Sequence, residues 1–279
     1  MDGPGLVRRG AAAVLAAALC GWLSTLAPSA GREEPVAVQV VRELPKPKPK
    51  PKPKPKPKPK PEPPPVPDVD CARAKCVALT FDDGPVPGTA ELLDVLDARG
   101  VRATFFVVGE NAAEHPELVR REHLAGHEVG NHSYTHADLG AASKRRVVSE
   151  LRRTQEAVRA ATGVTPVLLR PPYGSMSGTL TREARRMGLS QVLWSVDPLD
   201  WSERDSGSVE RRVVEGVRPG AVVLMHDIHG STVDAVPDII DRLRDDGYVF
   251  VTVSQLFGGR LAPGEEYVES KSGQSQGLP

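Results

Sequence analysis

At 279 residues the chain has room for one large domain or two small ones, and its 27 prolines are too unevenly placed for whole-chain averages to mean much. Lys plus Arg equals Asp plus Glu at 36 each, but residues 1–67 hold 12 basic against 5 acidic side chains, so the positive and negative charge lie in different parts. A mere Lys-Pro spacer protein is excluded, because residues beyond 67 are rich in site-type side chains, and no nucleic-acid partner is expected.

Arg8-Arg9 precedes the apolar run Ala11 to Leu26, the layout of a secretory signal. Residues 1–30 are expected to be either a signal peptide or an N-terminal membrane anchor. Pro28 spoils the cleavage points after Ala27 and Ala30, and Gly10 to Ala27 is close to the ~18-residue lower limit for a span. The chain is therefore expected to be exported, either secreted or tethered to the outer face of the membrane or wall. Residues 31–67 are expected to be a disordered Pro/Lys-rich linker. From Pro45 to Pro67 alternate prolines forbid a helix or sheet interior and favour polyproline II, roughly 70 Å long at ~3.1 Å per residue. Its charge suits a tether to an anionic envelope polymer, and it suits a solvated spacer equally. Cys71 and Cys76, close together in an exported chain, are expected to form a disulfide rather than a metal site.

The apolar run Cys76 to Leu79 reads as a first, buried strand, stopped by Gly84-Pro85. Thr89 to Arg99 is predicted helical, with Thr89 as N-cap and Gly100 as stop. Ala103 to Val108 is a second strand, Pro116 to Ala125 a helix, and His127 to Asn131 a third strand. Ser143 to Thr162 is a long amphipathic helix closed by Gly163. Val167 to Leu169 is a fourth strand, Thr179 to Met187 a helix, Gln191 to Trp194 a fifth strand and Val209 to Val217 a helix. Ala221 to Met225, Val236 to Asp246 and Tyr248 to Val253 complete the pattern as strand, helix and strand. The domain is expected to span 68–258, and 259–279 to be a disordered tail. Seven alternations of strand and helix imply an α/β fold with parallel strands. Seven βα units without a Gly-rich phosphate loop favour a closed or imperfectly closed barrel over an open sheet, with site residues at the carboxyl ends of strands.

That rule sorts the polar residues. Asp82 and Asp83 end the first strand, and strand alternation is expected to send them to different jobs. His132 and His136 follow the third strand at a spacing that would put both rings on one side of a helical turn. With Asp83 they make two nitrogens and one oxygen, an open catalytic zinc-type set. His123 and His127 share that spacing but lie at the wrong end of the barrel and read as structural. Arg170 ends the fourth strand in Arg-Pro-Pro-Tyr-Gly, holding Tyr173 on the rim. Asp197 to Trp201 follows the fifth strand, and His226 ends the sixth.

These motifs, Thr80 to Pro85, His132 to His136, Arg170 to Tyr173, Asp197 to Trp201 and Leu224 to His226, together resemble the polysaccharide deacetylases of the NodB-homology group, also called carbohydrate esterase family four. The resemblance runs from about Cys76 to Phe257 and implies a distorted (β/α)7-type barrel. It implies a divalent metal, zinc most usually, with cobalt or another divalent ion as alternatives, on Asp83, His132 and His136. It implies Asp82 as general base oriented by Arg170, and His226 as general acid held by Asp200. The backbone N–H of Tyr173 would help bind an oxyanion, and Trp201 and Leu224 would line an acetyl pocket. The implied protein is a metal-dependent N-deacetylase of an N-acetylated glycan, expected to be monomeric. Export and the cationic segment point to peptidoglycan GlcNAc or MurNAc. A chitin-oligosaccharide deacetylase and an acetylxylan esterase are the alternatives within the class, and a non-catalytic cell-wall-binding module is the alternative outside it.

Overall fold

The computed structural model describes residues 69–259 and 261–270. The expected export segment (1–30) and linker (31–67) lie outside the described residues, as do residues 271–279.

Alternation along the first strand organises the molecule. In β1 (Lys75–Asp82) every residue after Lys75 is buried. Val77, Leu79 and Phe81 join an apolar cluster with Leu92, Leu96, Val213 and Ile239 from the surrounding helices. Cys76 and Ala78 join another with Phe106, Leu168, Val192 and Val222, drawn from strands across the sheet. Successive strand residues face opposite ways, so Thr80 and Asp82 continue the inward set. Burial on both faces is what a parallel sheet wrapped by helices requires, and each fully buried Leu or Phe contributes about 1.5–3 kcal/mol.

The chain then winds as α1 (Thr89–Ala98), β2 (Thr104–Val107), α2 (Gly109–Glu114), α3 (Pro116–Leu124), β3 (Glu128–Asn131), α4 (Lys144–Thr162) and β4 (Leu168–Leu169). It continues through α5 (Gly178–Arg186), β5 (Ser190–Val192), α6 (Ser206–Gly216), β6 (Ala221–His226), α7 (Gly230–Asp245), β7 (Tyr248–Phe250), α8 (Val253–Leu256) and β8 (Glu266–Tyr267). The strands are parallel in the order β6-β1-β2-β3-β4-β5-β8, with β7 paired to the start of β1. Between β5 and β6 the circle is joined by a Val196–Val223 bridge and by Leu224 N–H donating to Val196 C=O at 2.9 Å. The result is a distorted (β/α) barrel.

Several local expectations need correction. The cap of α1 is Gly88, not Thr89, whose hydroxyl instead accepts from Val86 N–H at 2.9 Å and donates to Asp227. The last helix before β7 starts at Gly230, six residues early, and carries Pro237 within it. Residues 261–270 are not a disordered tail. Gln191 N–H donates to Glu265 C=O and Leu193 N–H to Tyr267 C=O, both at 2.8 Å, so β8 extends the sheet, and Tyr267 packs edge-on against Phe257. The polar composition hid this strand because it joins the sheet through backbone pairing rather than through a run of apolar side chains. Ser143 does cap α4, and Gly163 (φ 88°) does end it. Cys71 and Cys76 are joined as a disulfide at the entrance to β1.

Candidate active site

Asp82 ends β1 facing the barrel interior, where Arg170 meets it. Arg170 Nη1 donates to Asp82 Oδ1 at 2.8 Å and to Thr80 Oγ1 at 2.7 Å. Its Nε and Nη2 reach the carbonyls of Val192 (3.2 Å) and Leu193 (3.0 Å), and the guanidinium lies 4.2 Å over the Phe106 ring. Arg170 is 0% exposed. A buried guanidinium is tolerable only when its donors are met, and a fork with five N–H groups can satisfy all of these at once.

Asp83 departs from the strand. Its φ is 75°, in the left-handed region that Asp tolerates better than most residues. The backbone therefore turns back, so strand alternation is not what separates the two carboxylates: both approach His132 Nε2, Asp82 at 3.7 Å and Asp83 at 3.4 Å, and of the two Asp82 pairs with Arg170. The turn is pinned from several sides. Asn111 donates to Asp83 C=O at 2.7 Å, and Val108 N–H to Gly84 C=O at 3.0 Å. Buried Asp227 accepts from Thr89 and occupies the space that a Cβ on Gly84 would need.

His132 and His136 do not sit on a helical turn. The segment is a loop in which Ser133 (φ 61°) and His136 (φ 53°) are left-handed. Glu150, buried on α4, shapes this loop by accepting from the N–H groups of Tyr134 (2.9 Å) and Thr135 (2.8 Å). The two Nε2 atoms lie 3.4 and 3.2 Å from Asp83 Oδ1, and the three donor atoms are within 4.8 Å of one another. Asp83 Oδ1 is buried without a hydrogen-bond partner. His132 Nδ1 lies 2.7 Å from Arg170 C=O, and His136 Nδ1 lies 3.2 Å from the Tyr173 hydroxyl. A proton on His132 Nδ1 directs its Nε2 lone pair at Asp83, as a metal-binding imidazole needs. Burial alone would raise the Asp83 pKa, but the close His132 ring and the charges on His132 and His136 lower it to about 2. Burial and the neighbouring His132 lower the pKa of His136 below the ordinary imidazole value, against the pull of Asp83 and Asp82. This donor set fits a divalent ion.

Across the cleft, Asp200 is fully buried behind His226. Its Oδ1 lies 2.9 Å from His226 Nδ1, and its Oδ2 accepts from His226 N–H and from Thr232 Oγ1, both at 2.7 Å. Burial opposes a charged His226, yet the Asp200 bond and charge, aided by Asp82 and Asp83, raise its pKa to about 9. Asp82, Asp83, His132, His136 and His226 share a cleft of about 370 Å³, also lined by Tyr173, Trp194, Trp201 and Leu224. Tyr173 (φ 61°) and Trp201 are 72% and 52% exposed at its mouth, while Leu224 is buried in its wall. His123 and His127 stand elsewhere. His127 Nδ1 accepts from Ala103 N–H at 3.1 Å and its ring stacks edge-on against Phe105; burial, with Arg102 and Arg121, lowers its pKa to about 4.

Asp82, Asp83, His132, His136, Tyr173, Trp201, Leu224 and His226 therefore line one cleft at the carboxyl ends of the strands, with Arg170 and Asp200 buried behind Asp82 and His226. Sequence reasoning missed Thr80, Asn111, Glu150 and Thr232. Glu150 and Thr232 carried no signal, because each lies on a helix far along the chain from the loop it holds.

A family model described as "Polysaccharide deacetylase" matches residues 70–192. The peptidoglycan-N-acetylglucosamine deacetylase PgdA of Listeria monocytogenes is 42% identical over 196 residues, 70% of this chain and 41% of that protein. A chitooligosaccharide deacetylase of Sinorhizobium fredii is 39% identical over 197 residues, 65% of this chain and 92% of that one. Among solved structures, peptidoglycan deacetylase PdaC from Bacillus subtilis is 40% identical with a TM-score of 0.64, covering 68% of this chain and 92% of that chain. The chain thus spans about two-fifths of the length of PgdA but nearly all of the Sinorhizobium fredii relative.

Proposed function

Because this chain belongs to the polysaccharide deacetylase family, we propose that it is a metal-dependent hydrolase that removes N-acetyl groups from peptidoglycan. One observation carries the reading: Asp83, His132 and His136 converge at one point, with the Asp82–Arg170 pair on one side and the Asp200–His226 pair on the other.

In the proposed mechanism Asp83, His132 and His136 would hold a divalent ion, zinc by the two-nitrogen, one-oxygen set, which would supply Lewis acidity to the amide carbonyl and to a water. Asp82, fixed by Arg170, takes the proton from the attacking water. The backbone N–H of Tyr173 donates to the developing oxyanion. Leu224 and Trp201 enclose the acetyl methyl group. His226, charged through Asp200, gives its proton to the departing amine, without which C–N cleavage would release a poor leaving group. Hydrolysis leaves acetate and a free amine on the sugar.

Residues 1–30 and the Cys71–Cys76 bond support action outside the cytoplasm, since disulfides persist in oxidising compartments. The relative from Sinorhizobium fredii, matched over nearly its whole length, favours chitin oligosaccharides as a second reading. Acetate release by the full chain from peptidoglycan, chitin oligomers and acetylxylan decides among them. Release chiefly from peptidoglycan is expected. Release only from chitin oligomers selects the second reading, and release only from acetylxylan overturns N-deacetylation altogether.

A further inference from the structure

Charge on the described domain is separated. Residues 144–187 hold ten Lys or Arg against three Asp or Glu, whereas the other described residues hold twelve against twenty-seven. An acidic domain therefore carries one strongly basic side, and α4 and α5 form it.

The helical period explains its shape. In α4 the buried stripe is Val147, Leu151, Thr154, Val158 and Ala161. Arg145, Arg152 and Arg159 recur every seven residues on the outward side, and all three are exposed. At 1.5 Å per residue they stand about 10 Å apart in a row roughly 21 Å long. Arg145 and Arg159 make no ion pair with a described residue, and Arg152 reaches only the exposed Glu156 at 3.7 Å. On α5, Leu180, Glu183 and Ala184 are buried and Arg182, Arg185 and Arg186 are exposed, with Arg185 paired to the exposed Glu265 at 3.0 Å. Glu183 joins the two helices, with Lys144 of α4 at 3.5 Å and Arg186 at 2.9 Å. Glu183 thereby ties the start of α4 to α5.

We propose that this α4–α5 face is a docking surface for a linear polymer bearing phosphodiester charges along its length. Nine of the ten cations in 144–187 are Arg, and of these only Arg170 is committed to the cleft. Guanidinium forks match phosphate oxygens bidentately and shed water more readily than ammonium groups. Like charges held in a row repel until an anion neutralises them. A line of cations flanked by acidic surface suits a strand, whereas a flat anionic bilayer would also press against the acidic flanks. The eight lysines between Lys46 and Lys60 add positive charge, without the guanidinium fork, from another part of the chain. The inference does not depend on the deacetylase reading.

The test is binding of the full chain to poly(glycerol phosphate) at several salt concentrations. An Arg145→Gln/Arg152→Gln/Arg159→Gln variant is compared with an Arg73→Gln/Arg211→Gln/Arg242→Gln control of equal net charge. Arg182→Gln/Arg185→Gln provides a second, independent variant of the face. Each lost phosphate contact should lower the salt slope by about one, so the triple variant should lose roughly tenfold or more in affinity and about three from the slope, with the control near wild type. Equal loss in variant and control would overturn the proposal, because net charge or the lysine segment would then carry the binding. Unchanged polymer binding in both face variants would overturn it too. So would a loss confined to vesicles of phosphatidylglycerol and phosphatidylcholine, which would make the face a membrane contact.

Discussion

Asp200 holds His226 at two points, its Oδ1 2.9 Å from Nδ1 and its Oδ2 accepting the backbone N–H of the same residue at 2.7 Å. One buried carboxylate therefore fixes both the position and the charge of the ring. With the His226 pKa raised to about 9, activity should fall as pH rises through that value, because the protonated ring is the proposed acid. Asp200→Asn should move this alkaline limb toward neutral pH in kcat/KM profiles, and an unmoved limb would refute the coupling. The linkage has the same sign. The folded state holds the extra proton between the ordinary 6.5 and about 9, so its stabilisation is complete below 6.5 and disappears across that window. Denaturant titrations should show a smaller loss over this range in Asp200→Asn.

Asp82 and Asp83 are adjacent but differently engaged, Asp82 by Arg170 and Asp83 by two histidines. Asp82→Asn should retain metal and lose turnover by about 10²–10⁴-fold. Asp83→Asn should lose metal affinity itself. Metal analysis and initial rates on both proteins test this, and the reverse pattern would exchange the two roles.

His132→Ala should abolish bound metal together with activity. His123→Ala, altering a ring at the other end of the barrel, should spare both. Full metal occupancy in the His132 variant would show that the ion lies elsewhere.

Gly84→Ala should damage the site from beneath. The new methyl would run into the Asp227 carboxylate, and relief requires the turn carrying Asp83 to move. Overpacking of this kind costs about 1–3 kcal/mol, so both melting temperature and metal affinity should fall. A variant with unaltered values for both would show that the turn yields freely.

Free-thiol counting under denaturing, non-reducing conditions should find neither Cys71 nor Cys76. The bond closes a loop of sequence separation 5, so reduction should cost about 2 kcal/mol on the chain-entropy estimate. Two titratable thiols would refute the pairing in the protein as made.

By itself the sequence determined the alternation of elements and the identity of the chemistry-bearing residues. Alternation is a local property, written in the apolar spacing of Cys76 to Leu79 or Val147 to Val158, and the motifs fall at strand ends where a barrel must present them. Those same local rules misplaced what long-range contact decides. Asp83 was expected to follow the strand period, but Asn111, Thr89 and Asp227 hold its turn in a left-handed conformation. The histidines were expected on a helical turn, but Glu150 of α4 captures their loop backbone instead. Strand β8 has too little apolar character to read, since it is held to β5 by backbone pairing. Only the folded chain brings Arg170 to Asp82 across 88 residues and Asp200 to His226 across 26. The charge of a buried group depends on which neighbour replaces its lost water, and that neighbour is chosen by the packing of the whole barrel.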